Sequence, residues 1–195
     1  MAWSEGAGEE HIMPQKQIYV LLYDEFADFE IIQALFLLRE EQITFVGFKE
    51  QVYTSICQLK VVTDTLVTDV SVEEVDLLII PGGEPKHLIS NPNMKPWVDE
   101  LTTFLNALDQ RGTKIAAICG GPTFLAHAGL LANRKCTGSV AEDEKHFFNE
   151  TLFHDVDVLR DGHILTAQGH AFTEFALEIG TMLGLCEMFP RECVD

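Results

Sequence analysis

Basic side chains are scarce in this chain: 13 Lys and Arg stand against 31 Asp and Glu, a formal net charge of −18 over 195 residues. Such a surface repels phosphate backbones and anionic lipids, so neither nucleic acid nor a membrane is an expected partner. No stretch approaches the roughly 20 consecutive apolar residues of a bilayer-crossing helix, and a soluble protein is expected. Cysteine is sparse as well. Cys57, Cys119, Cys136, Cys186 and Cys193 are odd in number, widely spaced and form no C-x-x-C pair. That excludes a disulfide framework or a zinc cage and fits a reducing, cytoplasmic setting. His146, His154 and His163 have no ligand spacing with one another or with a cysteine, so no metal is expected, and no cofactor. Repeats and low-complexity segments are absent too. Residues 1–16 carry Gly6, Gly8, Glu9, Glu10 and Pro14 without the apolar core of a secretory signal and are expected to form a disordered leader. Residues 189–195 read as a frayed tail, and 17–188 as one domain of ordinary size.

Within that domain short apolar runs alternate with helical periodicity, the pattern of a mostly parallel sheet with helices on both faces. Strands are expected at 18–23, 43–48 and 76–80, with β-branched residues across 51–70 suggesting a small antiparallel excursion at the sheet edge. A helix is expected over 27–40 with Phe29, Ile32, Leu35, Phe36 and Leu38 on its apolar face, and another over 96–110 stopped by Gly112. A strand-turn-helix from 114 to about 131, a brief strand at 135–137 and a short acidic helix at 141–149 follow. The chain then reads as a hairpin, 156–160 and 163–166, with a type I′ turn at Asp161-Gly162, and a last helix over 171–183.

The turn at Cys119-Gly120-Gly121 carries the chemistry. An apolar strand ends on a cysteine, two glycines follow and a small-residue helix begins, an elbow that lifts the sulfur clear of the sheet. At a helix N-terminus the dipole favours a thiolate, although free cysteine is also among the most buried residue types. Ligand sites of open parallel sheets lie outside the carboxyl ends of the strands. The loops gathered there hold Asp24, Glu25, Asp28 and Glu30 after the first strand, Gly82 and Gly83 after the third, and His170 after the last. A carboxylic acid could hold the sulfur's proton, and the amides of Gly82, Gly83, Gly120 and Gly121 could face an oxyanion. The residues alone do not choose among the four carboxylates; Asp24, Glu25 and Asp28 suit helix capping and solvation better. His170 could serve as base or bind substrate, or simply cap the final helix; His127 suits packing or solvent exposure. Cys57, Cys136 and Cys186 are expected in the core.

The segments Phe26-Ala27-Asp28-Phe29-Glu30, Asp76-Leu77-Leu78-Ile79-Ile80-Pro81-Gly82-Gly83, Ile115-Ala116-Ala117-Ile118-Cys119-Gly120-Gly121-Pro122-Thr123 and Asp161-Gly162-His163-Ile164-Leu165-Thr166-Ala167-Gln168-Gly169 resemble, in order and spacing, the ThiJ/PfpI superfamily. That superfamily is related to class I glutamine amidotransferase domains and includes the Parkinsonism-associated protein deglycase. The resemblance covers most of residues 18–185 and implies a flavodoxin-like three-layer α/β sandwich. It further implies Cys119 as nucleophile, Glu30 as its supporting acid, Gly82, Gly83 and Gly120 as oxyanion or substrate-binding donors, and a homodimer. Two positions depart from the pattern. Protease-like members carry a histidine directly after the cysteine, where this chain has Gly120, and others carry one in the segment matching Thr137-Gly138-Ser139, where Ser139 stands and is expected, with the glycines, to contact the oxyanion or substrate. A peptidase is therefore not expected.

Two readings follow. In one, Cys119 adds to an electrophilic carbon of a small molecule and Glu30 relays the proton, in a hydration or hydrolysis of isocyanide, glyoxal or amide type. In the other, the protein is a redox-sensing or oxidative-stress module in which Cys119 climbs the oxidation ladder with little turnover. A silent binding protein that keeps the elbow for folding alone is the third possibility.

Overall fold

The computed structural model describes residues 15–185. The leader's residues 1–14, the tail at 189–195, and Cys186 and Cys193 lie outside the described residues. In chain order the strands are β1 (Gln17–Leu21), β2 (Gln42–Gly47), β3 (Val52–Thr54), β4 (Lys60–Val62), β5 (Thr65–Leu66), β6 (Leu77–Ile80), β7 (Lys114–Ile118), β8 (Lys135–Cys136), β9 (Leu152–Phe153), β10 (Val158–Asp161) and β11 (Ile164–Ala167). The helices are α1 (Ile32–Leu37), α2 (Pro85–Ile89), α3 (Lys95–Arg111), α4 (Pro122–His127) and α5 (Phe172–Leu183), with short 3₁₀ turns that include Asp28–Glu30 and Glu142–Phe148.

Seven strands form one sheet in the order β10-β11-β7-β6-β1-β2-β5, parallel except for β10. This is the mostly parallel α/β sheet, flavodoxin-like, that the sequence predicts. Helices cover both faces, so the central strands are buried on both sides and read as continuous apolar runs rather than alternating ones. Leu77, Leu78, Ile79 and Ile80 of β6 and Ile115 to Ile118 of β7 are all fully buried. On one face α1 packs against α5, and α5 lies over β7 and β11; α2, α3 and α4 pack with one another on the other. In α3 the buried residues Val98, Leu101, Phe104, Leu105 and Leu108 keep one helical stripe, and Gly112 ends the helix in the left-handed conformation at φ 71°.

Several expectations need correction. Residues 27–40 do not form one helix: the 3₁₀ turn Asp28–Glu30 breaks at Ile31 before α1 begins. The break turns the phase so that Ile31, Ala34 and Leu38 face the core, while Phe29, Ile32 and Phe36 are 47%, 49% and 63% exposed. The excursion at 51–70 is a separate β3-β4 ribbon followed by β5, which rejoins the main sheet parallel to β2. The β10-β11 hairpin has a positive φ at Gly162 but none at Asp161 or His163, so the type I′ turn, which needs two, is not formed. Helix α2 and strand β9 carry too few residues to show a period and were not predicted. No helix among the described residues is long and apolar enough to cross a membrane.

Candidate active site

The chain runs from β1 outward through β2 and returns to β6 on the opposite side of β1, so the strand order reverses at the β1-β6 boundary. Beyond the carboxyl ends at such a reversal the loops splay apart and leave room for a ligand. Parallel registers (Val20 opposite Ile79, Ile79 opposite Ala116, Ala117 opposite Thr166) bring the strand ends to one edge. The loops after β1, β6, β7 and β11 therefore meet there, carrying Glu30, Gly82, Cys119 and Gly169.

Cys119 stands at φ 60°, a left-handed conformation that costs a non-glycine residue about 1–3 kcal/mol. It is held in place from both sides. Its N–H donates to Ala167 O at 2.8 Å, its carbonyl accepts from Ser139 N at 2.9 Å, and Gly121 N donates to Ile118 O at 2.8 Å to close the turn. A Cβ on Gly121 would lie 2.7 Å from Ile80 O, so the elbow has room only for glycine at that position. The Glu30 side chain is buried, accepts from Gly82 N–H at 3.1 Å and is hydrogen-bonded to the Cys119 sulfur. The sulfur also takes hydrogen bonds from the Ser139 hydroxyl and the Gly120 N–H. Gly169 N–H donates to Ser139 Oγ at 2.9 Å, which leaves the serine proton free to point at sulfur.

The resting electrostatics differ from the expected low-pKa thiolate. Burial, the Glu30 charge and the hydrogen bond to Glu30 push the Cys119 thiol up to about 12, against the Ser139 and Gly120 donors. Helix α4 is only six residues long and starts three residues after Cys119, too weak a dipole to reverse this. Burial also raises Glu30, partly offset by its hydrogen bonds with Cys119 and Gly82. The pair thus holds one proton between an acid step above the usual carboxylate value and a thiol step near 12, and the two steps belong to the pair.

Other expected site residues fall in different places. Gly82 N–H is spent on Glu30 rather than free for an oxyanion. Gly83, at φ 134°, has no hydrogen bond on its N–H among the described residues, and Gly120 N–H faces the sulfur. His170 is largely exposed with Nε2 on Asp157 Oδ1 at 2.9 Å; it is not among the groups acting on the sulfur. Asp24 and Glu25 are exposed, whereas Asp28 is buried and accepts from Cys57 N–H at 3.3 Å, tying the ribbon tip to the turn rather than solvating it. Cys136 is buried as expected, but Cys57 is exposed. His127 packs edge-on to Phe147 with ring centroids 6.0 Å apart. No group of three or more His, Cys, Asp or Glu is placed to hold a metal among the described residues.

The sequence pattern of the DJ-1/PfpI family matches residues 16–182. The chain belongs to the DJ-1/PfpI family. It is 30% identical over 165 residues to an uncharacterized protease of Bacillus subtilis, covering 82% of this chain and 79% of that protein. A deglycase of Thermococcus kodakarensis is 27% identical over 156 residues, 78% of this chain and 89% of that one. The crystal structure of a DJ-1 superfamily protein from Agrobacterium tumefaciens superimposes with a TM-score of 0.76 at 26% identity, covering 92% of this chain and 94% of that one.

Two contributors to this DJ-1/PfpI site escape sequence reasoning. Tyr23, in the apolar run of the first strand, reads as a core residue; its buried hydroxyl donates to Gly82 O at 2.6 Å and Pro81 O at 2.9 Å and so buckles the Gly82 loop. Gly169 reads only as a turn. A Cβ there would sit 2.8 Å from both Cys119 Sγ and Glu30 Oε1, so the glycine is what lets the sulfur and carboxyl meet. Neither role leaves a period or motif in the sequence; each exists only once β11 lies beside β7 and β6 beside β1.

Proposed function

We propose that this DJ-1/PfpI protein is a cysteine-dependent hydrolase or hydratase of small molecules, with Cys119 as nucleophile and Glu30 as its proton partner. The hydrogen bond between Glu30 and the Cys119 sulfur at the strand-order reversal carries this reading. Between its acid step and its thiol step the pair keeps one proton. As sulfur bonds to an electrophilic carbon, its proton passes to the Glu30 carboxylate, which burial makes a better base than an exposed one. The new oxyanion takes the free Gly83 N–H, and Gly120 N–H once the sulfur's lone pair is spent on the new S–C bond; one such donor is typically worth about 3–4 kcal/mol. Glu30 then returns the proton to the leaving group or adduct, and water completes the hydrolysis or hydration. Relatives named deglycase and protease support a hydrolase-like chemistry at this cysteine. Gly120 and Ser139, where a histidine would serve a peptidase, favour small aldehyde, isocyanide or amide carbons over peptides.

A thiol held protonated is a poor substrate for peroxide, because oxidation follows thiolate character. Nucleophilic addition needs the same thiolate, so in either reading Glu30 has first to take the sulfur's proton. The exposed apolar side chains Phe29, Ile56 and Val52 support a homodimer as the working form.

The test is turnover of methylglyoxal, an isocyanide and glutamine by the wild type, Cys119→Ala and Glu30→Gln. Cys119→Ala is expected to abolish conversion of the accepted substrate, and Glu30→Gln to lower kcat by about 100-fold or more, the range of a lost acid-base group. Equal conversion by Cys119→Ala and the wild type on all three would refute the reading.

A further inference from the structure

A groove of about 680 Å³ opens beside Ser139. Ser139, which lines it, hydrogen-bonds to the Cys119 sulfur, and Gln168, also on the lining, precedes Gly169, where an added Cβ would lie 2.8 Å from both Cys119 Sγ and Glu30 Oε1. The groove is thus one side chain, Ser139, away from the sulfur. Its floor is apolar: Val140, Phe148 and Phe153 line it, with the two phenyl rings edge to face at 5.6 Å. Phe148 is buried, yet Phe153 is 41% exposed, an aromatic face left uncovered. Also on the lining, Gln168 Nε2 donates to Asp155 Oδ1 at 2.7 Å, and Asp155 Oδ2 has no partner among the described residues. The one cation on the lining, Lys145, is neutralised by Glu142 at 2.7 Å.

Allowing about 30 Å³ per heavy atom, as for water, a three-carbon dicarbonyl would fill about 150 Å³ of this space. Pockets of several hundred Å³ with aromatic walls and a few polar groups hold larger ligands. We infer that the substrate of Cys119 carries a broad apolar group, of aryl size, that lies on Phe148 and Phe153, and ends in a neutral or cationic N–H donor directed at Asp155. This rests on Cys119 being the reacting nucleophile. It adds the shape and charge of what is delivered to it: anionic substrates and bare dicarbonyls are disfavoured.

The experiment reads access to the sulfur and needs no turnover, so its outcome is separable from that of the substrate assays. Methyl, benzyl, trimethylammonioethyl and sulfonatoethyl methanethiosulfonates are reacted with the full chain in a Cys57→Ser background. In each case the Cys119 sulfur displaces methanesulfinate and forms a mixed disulfide, quantified on the Cys119 peptide by mass spectrometry. Rates are divided by those of a free small thiol with the same reagent, which removes intrinsic reactivity. The expected result is benzyl favoured over methyl by about 10-fold, and the cation favoured over the anion by a similar factor, an energy of about 1.4 kcal/mol in each case. Phe153→Ala, and independently Ala141→Phe, which blocks the groove from an exposed position, are expected to bring the benzyl preference to within 2- to 3-fold of the free thiol. Asp155→Asn is expected to cut the cation preference at least 3-fold. A wild-type benzyl preference equal to that of the free thiol would overturn the inference, as would its survival in both Phe153→Ala and Ala141→Phe.

Discussion

Gly169 stands between a sulfur and a carboxyl oxygen, and any side chain there would have to push one of them away. Its φ lies outside the left-handed region, so alanine is tolerated by the backbone and the clash is local. Gly169→Ala is expected to fold with a loss of about 1–3 kcal/mol from overpacking, and to lower kcat/KM by about 100-fold through misplacement of the pair. Thermal unfolding and steady-state kinetics check both parts; near wild-type activity would show that Gly169 does not set the geometry. Glu30 gives the complementary prediction. Burial raises its carboxyl above 4.5, so the folded state binds more protons between that value and its folded pKa, and Glu30 costs stability as pH rises through that window. Glu30→Gln is expected to remove this loss and to leave the protein at least as stable as the wild type at pH 7, while activity falls. Denaturant midpoints measured from pH 4 to 8 would reveal the difference in slope.

Between elements, the decisive contact is the buckle from β1 to the loop after β6. Tyr23 donates to two carbonyls of that loop, and Ala27 N–H donates to Gly82 O at 2.8 Å from the next turn. Together they aim Gly82 N–H at Glu30. Tyr23→Phe keeps the ring and its edge-to-face packing on Phe124, 5.4 Å away, but leaves buried carbonyls underbonded. The expected outcome is a stability loss of about 1–2 kcal/mol with kcat reduced about 10-fold and KM little changed. A wild-type kcat would mean the loop holds its shape without the phenol. These contacts also mark where sequence reading stops. Strands β6 and β7 are legible because sandwiched strands are apolar throughout, and the elbow is legible because Cys-Gly-Gly interrupts that pattern. Glu30 was one of four carboxylates until the family resemblance selected it, since nothing in the residues says which one the 3₁₀ turn buries. The apolar face of α1 was misread because Phe29, Ile31, Ile32, Ala34, Phe36 and Leu38 surround the helix, and only the break at Ile31 decides the phase.

At the scale of the molecule, the exposed apolar residues of the first turn and α1 lie next to the ribbon tip, where Ile56 N–H donates to Phe26 O. Glu30 sits in that same turn, so covering the patch would also brace the site. Light scattering on a size-exclusion column is expected to give twice the chain mass of 21.8 kDa, and Phe29→Asp to shift the protein to monomer. A wild-type monomer at micromolar concentration would remove the proposed dimer. The strand order itself was readable only in outline: parallel strands and a hairpin were expected, while the crossing back from β5 to β6 that opens the site appears only in the folded topology.

The central claim is that Cys119 and Glu30 share one proton, and it is tested most directly by titrating the thiol. Thiolate absorbance near 240 nm would be followed from pH 5 to 12.5 as the difference between the wild type and Cys119→Ala, then repeated in a Glu30→Gln background. The expected result is ionisation of the wild-type sulfur only near pH 12, and at a clearly lower pH once the Glu30 charge is gone. A wild-type sulfur ionising at or below the ordinary thiol value of 9.0, unmoved by Glu30→Gln, would contradict the account.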